Sequence, residues 1–207
     1  TVKSKKGEYL SKNVILATGV VDVEPKLPNV RYAVKKGLIR HCLICDGYEV
    51  KGQRVAIIGN WKKALREAIL LTTYSNDITI FVNDSVPNLN RTDGAKLAAA
   101  GIKIISSPIN KVHLVENRIN GFKVANNDYI FDTIYSALGA EVRSDLALDL
   151  GVLCDKKSKC LKVDIHQETN IKGFYAVGDI VSGLNQMSVA AGQAAIAAVA
   201  IFNKLKK

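Results

Sequence analysis

Between Arg54 and Val82 the chain reads strand, glycine, helix, strand, and that order leaves few folds open. Arg54–Ile58 (RVAII) is a short apolar strand ending at Gly59, and Lys62–Tyr74 places Ala64, Leu65, Ala68, Ile69 and Leu71 on one helical face. A second apolar strand follows at Ile78–Val82. A strand that returns through a helix lies parallel to the first, so this segment commits the chain to a parallel sheet covered by helices. Asp93–Ala100 then reads as a helix stopped by Gly101, and Ile102–Ile105 as a third strand. From Lys111 to Ala137 the pattern shortens to alternating segments (KVHLVE, INGFKVA, YIFDTIYSA), the signature of an antiparallel meander added to the parallel sheet.

The flanks have a different character. Glu8–Ala17 ends in an apolar run and breaks at Thr18-Gly19, an interior strand with nothing before it to serve as its partner. The last third holds a polar hairpin region around Cys154–Cys160, a strand at Phe174–Val177 ending in Gly178-Asp179, and an Ala-rich helix from Met187 to Leu205. The fold class is therefore α/β: residues 25–138 form a complete Rossmann-like domain inserted between 1–24 and 139–207, two parts of another domain.

Composition excludes several classes. With 207 residues, 48% of them hydrophobic, the chain can bury a core and is neither disordered nor fibrous. The formal charge of +10 sits in scattered lysine pairs without interleaved aromatic residues, which gives no platform for nucleic acid. No apolar run approaches the roughly 18 residues of a membrane span, and the N-terminus lacks the apolar segment of a signal peptide. The expectation is a soluble, cytoplasmic protein with no membrane and no nucleic-acid partner.

Of the four cysteines, Cys42 and Cys45 are spaced C-x-x-C. That spacing lets two sulfurs meet without strain and often carries a lowered thiol pKa. Asp46 follows at once and can act as proton donor or acceptor for a leaving thiolate. Zinc is the competing reading, with His41, Cys154 and Cys160 as extra ligands, but the distant second pair does not match the paired short spacings of a zinc ribbon. No metal site is expected.

The run Cys42-Leu43-Ile44-Cys45-Asp46-Gly47, followed by a βα unit and, far downstream, by Gly178-Asp179 before an Ala-rich helix, resembles the low-molecular-weight thioredoxin reductases among the flavin-dependent pyridine nucleotide disulfide oxidoreductases. Val14-Ile15-Leu16-Ala17-Thr18-Gly19 and Gly173-Phe174-Tyr175-Ala176-Val177-Gly178-Asp179 are similar to two strand ends of that family's FAD domain. The resemblance implies that Thr18, Gly19, Gly178, Asp179, Gln186, Met187 and Ala190 bind FAD, with Asp179 on the ribityl chain and the helix from Gln186-Met187 near the flavin ring. It implies that electrons pass from NADPH or NADH through FAD to Cys42/Cys45, with Asp46 as acid/base group, and on to a thioredoxin-like protein or small-molecule disulfide. It also implies a homodimer.

Three departures complicate that picture. The nucleotide turn expected after the first inserted strand, G-x-G-x-x-A or G-x-G-x-x-G, reads Gly59-Asn60-Trp61-Lys62-Lys63-Ala64, with an indole where a pyrophosphate would approach. The basic cluster that would hold a 2′-phosphate is replaced by Asn83-Asp84-Ser85, where Asp84 reads equally as a ligand of a ribose 2′-hydroxyl or as part of a polar turn. No G-x-G-x-x-G loop for FAD occurs anywhere in the sequence, which begins at Thr1 and holds a single methionine, Met187. The expectation is the C-terminal two thirds of a longer flavoprotein, binding FAD weakly or not at all alone. Two alternatives stay open: a dithiol oxidase passing electrons through FAD to oxygen without NAD(P)H, and a degenerate member that only binds nucleotide or a partner protein.

Overall fold

The structure is a computed structural model and describes residues 1–27, 30–82, 91–115 and 118–206. It divides into two compact units, Asp22–Gly139 and the pair of segments Thr1–Val21 and Ala140–Lys207. In chain order the elements are β1 (Val2–Ser4), β2 (Gly7–Tyr9), β3 (Val14–Leu16), β4 (Val20–Asp22), α1 (Val30–Lys35), β5 (Ile39–Arg40), α2 (Leu43–Asp46) and a 3-10 turn (Gly47–Val50). Next come β6 (Arg54–Gly59), α3 (Trp61–Leu71), β7 (Asp77–Val82), α4 (Arg91–Ala99), β8 (Lys103–Ile105), β9 (Ile109–Val115), β10 (Arg118–Val124), β11 (Asn127–Ile130) and β12 (Thr133–Ala137). The last are β13 (Ala140–Val142), α5 (Asp145–Leu148), β14 (Phe174–Ala176), a second 3-10 turn (Gly178–Ile180) and α6 (Met187–Leu205).

The Asp22–Gly139 unit is built on a five-stranded sheet of order β5-β12-β6-β7-β8 in which every pairing is parallel. Its inner strands β6, β7 and β12 are buried along almost their whole length because both faces are covered. On one face α3 packs Trp61, Ala64, Ala68 and Leu71 against Val55, Ile57, Ile80 and Tyr135. The alternate residues Ala56, Ile58, Phe81 and Ile134 point the other way, as period-two strands require, and meet Val112, Phe122 and Phe131. Phe81 sits edge-on to Phe122 and Phe131, with ring centroids 5.3 and 5.4 Å apart.

The meander departs from expectation in two ways. Strands β9, β10 and β11 form a separate antiparallel sheet of order β11-β10-β9 lying over one face of the parallel sheet, not an extension of it. The segment YIFDTIYSA also divides between two sheets, because β11 ends at Ile130 whereas β12 returns to the parallel sheet between β5 and β6. Asp132 causes the division: its carboxylate accepts from the Arg54 backbone N–H at 2.9 Å and from Arg54 Nε and Nη2 at 3.0 and 2.7 Å, clamping the start of β12 beside the start of β6.

In the other unit β14 pairs with β3 in parallel register, Phe174 opposite Val14 and Ala176 opposite Leu16. The interior strand is confined to Val14–Leu16, and its partner comes later in the chain, as nothing before it could serve. Val2–Ser4 and Gly7–Tyr9 form an exposed antiparallel hairpin, turned where Ser4 Oγ accepts from Lys6 N–H at 3.1 Å. The core of this unit gathers Ala147, Val152, Leu161, Ala176, Ile180 and Val181. Helix α6 buries only Ala197 among its described residues and exposes Ile196, Val199 and Phe202. By length and composition α6 is apolar enough to cross a membrane, with a mean hydropathy of 1.4, which corrects the expectation that no run reaches that length. Its alanines are too weakly apolar to stand out singly, yet their sum carries the mean.

Candidate active site

Cys42 and Cys45 are joined by a disulfide, their Cα atoms 5.3 Å apart. Cys42 precedes α2 in extended conformation, and its carbonyl accepts from the N–H groups of Cys45 at 3.1 Å and Asp46 at 3.3 Å. One helical turn thus brings residues three apart together. Buried Leu43 anchors the turn in the core under α3. Directly after it Gly47 lies so close to Tyr74 that an added Cβ would stand 3.1 Å from the ring. The outer side of the turn is open: Cys45 is exposed, and Ile44 and Tyr48 are 72% and 74% exposed.

Asp46 is held by two donors, one on each oxygen. Tyr135 Oη donates to Oδ1 at 2.5 Å, and Arg40 Nη1 lies 3.1 Å from Oδ2 and 2.7 Å from Glu49 Oε2. The parallel register of β5 and β12 sets Tyr135 directly opposite Arg40, so two neighbouring strands deliver both donors to one carboxylate. Burial, then the bond to Asp46, pushes the Tyr135 phenol far above its usual range, so it stays protonated and donates. Burial works against the Arg40 charge, but the bonds to Glu49 and Asp46 outweigh it and raise the guanidinium further. His41 is turned elsewhere, its Nε2 3.4 Å from Glu24. Neither Arg40 nor Tyr135 is identifiable by motif; the available signals are a cation and a phenol set within buried β-strands.

The nucleotide-turn residues are distributed differently. Gly59 ends β6 at the point where the strand order turns, β12 and β5 on one side and β7 and β8 on the other. A Cβ on Gly59 would stand 2.5 Å from the Ala137 carbonyl oxygen, so strand crowding alone demands glycine here. Asn60 is exposed before α3, while Ala64 is fully buried against the sheet. The Trp61 indole is not laid over the turn: it is 7% exposed and packs in the same cluster as Leu43, Ala64 and Tyr135. A cavity of about 460 Å³ opens at this edge of the sheet, lined by Ile58, Phe81, Val82, Ser106 and Leu138 with Glu24 and Lys26. Asp84, with Asn83 and Ser85, lies outside the described residues.

In the other unit the parallel pairing of β3 and β14 brings Thr18-Gly19 and Gly178-Asp179 to the same edge. Thr18 Oγ1 donates to the Arg143 carbonyl at 2.6 Å, and Gly178 N–H donates to Gln193 Oε1 of α6 at 2.7 Å. Gly178 has a φ of +77°, which favours glycine, and an added Cβ would meet Ala190 at 3.5 Å. The Gln186 side chain makes no capping bond to the first turn of α6, and Met187 is 89% exposed. Cys154 and Cys160 are free thiols in this unit, and the described residues contain no cluster of three metal-ligating side chains.

A parallel α/β unit carrying a C-x-x-C disulfide beside a positioned carboxylate, in a chain that also ends a parallel strand at Gly-Asp before a long helix, defines a disulfide oxidoreductase class. The chain belongs to the pyridine nucleotide-disulphide oxidoreductase family, which matches residues 1–194. It is 29% identical over 219 aligned positions to a thioredoxin reductase of Peptoclostridium litorale, covering 96% of this chain and 66% of the relative. It is 28% identical over 186 positions to that of Mycoplasma genitalium, covering 84% and 57%. The 34.2 kDa protein of the rubredoxin operon of Clostridium pasteurianum is 28% identical over 200 positions, covering 92% and 64%. The chain thus spans 57–66% of the length of these curated relatives. Among solved structures, HlmI superposes with a TM-score of 0.83 at 28% identity, covering 93% of this chain and 60% of HlmI. The thioredoxin reductase of Streptococcus pyogenes reaches 0.87 at 23% identity, covering 99% and 69%, a likeness of fold.

Proposed function

We propose that this chain carries the dithiol–disulfide centre of a thioredoxin reductase-like flavoprotein acting on a thioredoxin-like protein or a small-molecule disulfide. The observation that carries the reading is the Cys42–Cys45 disulfide on an open helical turn, followed by a carboxylate with both oxygens engaged. In the reductive direction, a Cys42/Cys45 thiolate attacks a substrate disulfide and a mixed disulfide forms as the first substrate thiolate leaves. The second cysteine then closes the Cys42–Cys45 bond and releases the other substrate thiolate. Two electrons and two protons pass from the protein dithiol to the substrate, and Asp46 is the group that takes and returns a proton.

The residues of the β3/β14 edge fit FAD, which when bound supplies two-electron exchange between a nicotinamide nucleotide and the cysteines. Asp179 would accept from a ribityl hydroxyl, and the first turn of α6 at Met187, with Gln186 and Ala190, offers a positive dipole end to an electron-rich ring. Thr18 and Gly19 complete that edge. For NADPH or NADH the candidate is the turn after β6, where Gly59 and Asn60 would meet the nucleotide and Ala64 would pack α3 close behind them. A homodimer in the cytoplasm belongs to the same reading. Anaerobic titration of the full-length flavoprotein with NADH and with NADPH tests it: the flavin should bleach and two thiols appear, and no bleaching by either nucleotide sinks the proposal.

One observation favours a second reading, an FAD-dependent dithiol oxidase. Contact with Ala137 explains Gly59 without any nucleotide, and the turn lacks a second glycine. Hydrogen peroxide formed from a dithiol and oxygen without NAD(P)H would decide for it.

A further inference from the structure

We propose that Tyr135 and Arg40 are positioning residues of the redox centre, which together orient Asp46 as the proton acceptor for the Cys42/Cys45 dithiol. The inference rests on the redox reading of those cysteines and adds two residues to it.

Asp46 lies in the same four-residue helix as Cys45, and its two oxygens are taken separately, Oδ1 by the Tyr135 phenol at 2.5 Å and Oδ2 by Arg40 Nη1 at 3.1 Å. A carboxylate with one donor can rotate about its side-chain bonds, whereas one held at both oxygens from two strands of a packed sheet cannot without breaking a bond. Tyr135 is fully buried and its register opposite Arg40 is set by β5–β12 pairing, so neither donor depends on a mobile loop. Glu49 Oε2 takes the same Arg40 Nη1 at 2.7 Å, so one guanidinium nitrogen bridges the two carboxylates. The charged and titratable groups facing the carboxylate are therefore Arg40 from β5, Glu49 from the 3-10 turn and Tyr135 from β12, with the Tyr74 ring packed on the adjoining Gly47.

The two bonds fix the direction from which Asp46 can take a proton. As the first cysteine sulfur attacks the substrate disulfide, its S–H proton passes to Asp46, a mixed disulfide forms, and the leaving thiolate recovers that proton; the second cysteine then attacks the mixed disulfide, its proton passes by the same route to the second leaving thiolate, and the Cys42–Cys45 bond closes. The dithiol is oxidised by two electrons and the substrate disulfide is reduced to two thiols.

The test uses the full-length protein, reduced and freed of reductant, and follows exchange with the aromatic disulfide DTNB across pH 5–9 (about the range in which thiol reactivity changes). Wild type should release two thionitrobenzoate equivalents for the Cys42/Cys45 pair beyond those from Cys154 and Cys160, counted in a Cys42→Ser/Cys45→Ser control. Tyr135→Phe and Arg40→Met should each slow that phase roughly tenfold at neutral pH, the size expected when a charged group loses one hydrogen bond. The acid limb should move up by about one pH unit, and Arg40→Lys should recover most of the rate. Trp61 emission, from the same core cluster as Tyr135, reports whether Tyr135→Phe stays folded, and Arg40→Met decides if it does not. A wild-type pair that fails to exchange overturns the redox reading. A wild-type pair that exchanges, with a folded variant matching its rate and pH profile, overturns the positioning role alone.

Discussion

Tyr135 Oη and Asp46 Oδ1 lie 2.5 Å apart across 89 residues of sequence. This contact joins β12, an inner strand of the parallel sheet, to the one-turn helix that carries Cys45, so the redox centre is braced by the core and not by its own loop. If Asp46 is the proton acceptor, Asp46→Asn should retain the disulfide and the fold while slowing dithiol exchange at pH 7 by about 10²–10⁴, the usual worth of a positioned acid–base group. Stopped-flow exchange of the reduced protein measures this, and a loss below threefold would remove Asp46 from the reaction.

Trp61 provides a sharper test of what its turn is for. The indole is buried with Leu43, Ala64 and Tyr135, so replacement by glycine to rebuild a nucleotide motif removes core packing. We expect Trp61→Ala and Trp61→Gly to lose about 3–5 kcal/mol in urea unfolding, without gain of NADH or NADPH binding by fluorescence titration. Unchanged stability would place the indole outside the core.

Gly59→Ala should also destabilise, by about 1–3 kcal/mol as overpacking does, because the new methyl meets the backbone and Cβ of Ala137 at 2.5–2.6 Å. The effect belongs to strand packing, so it should appear as a lowered melting temperature in the absence of any nucleotide. A neutral result would return Gly59 to a purely ligand-binding role.

Acid sensitivity should have an identifiable source at the start of β14. The Gly173 N–H first, then Lys204 of α6, hold the Glu168 carboxyl below its ordinary range. A depressed carboxyl contributes stability that is fully present above the ordinary value near 4.3 and is lost as pH falls through the lower folded value. Wild-type unfolding free energy should therefore fall more steeply below about pH 4 than that of Glu168→Gln, measured by denaturant unfolding at successive pH values. Asp132, depressed first by its bonds to Arg54, keeps part of the slope in that variant. Parallel slopes would exclude Glu168.

Periodicity identified the β6–α3–β7 unit, the cysteine pair and the strand ending at Gly178-Asp179, because each is written in local spacing: a helical face, a C-x-x-C interval, an apolar run stopped by glycine. It could not show that Tyr129-Ile130 and Thr133–Ala137 belong to different sheets, since that division depends on Arg54 clamping Asp132 from 78 residues away. Nor could it turn Trp61 inward, because an indole after a strand-ending glycine faces ligand or core according to what α3 packs against. Local spacing was enough for the parallel α/β class and for two cysteines set beside an aspartate. Which groups hold that aspartate came from long-range packing, because Arg40 and Tyr135 become neighbours through the β5–β12 pairing, and strand pairing is set by burial summed over the whole sheet.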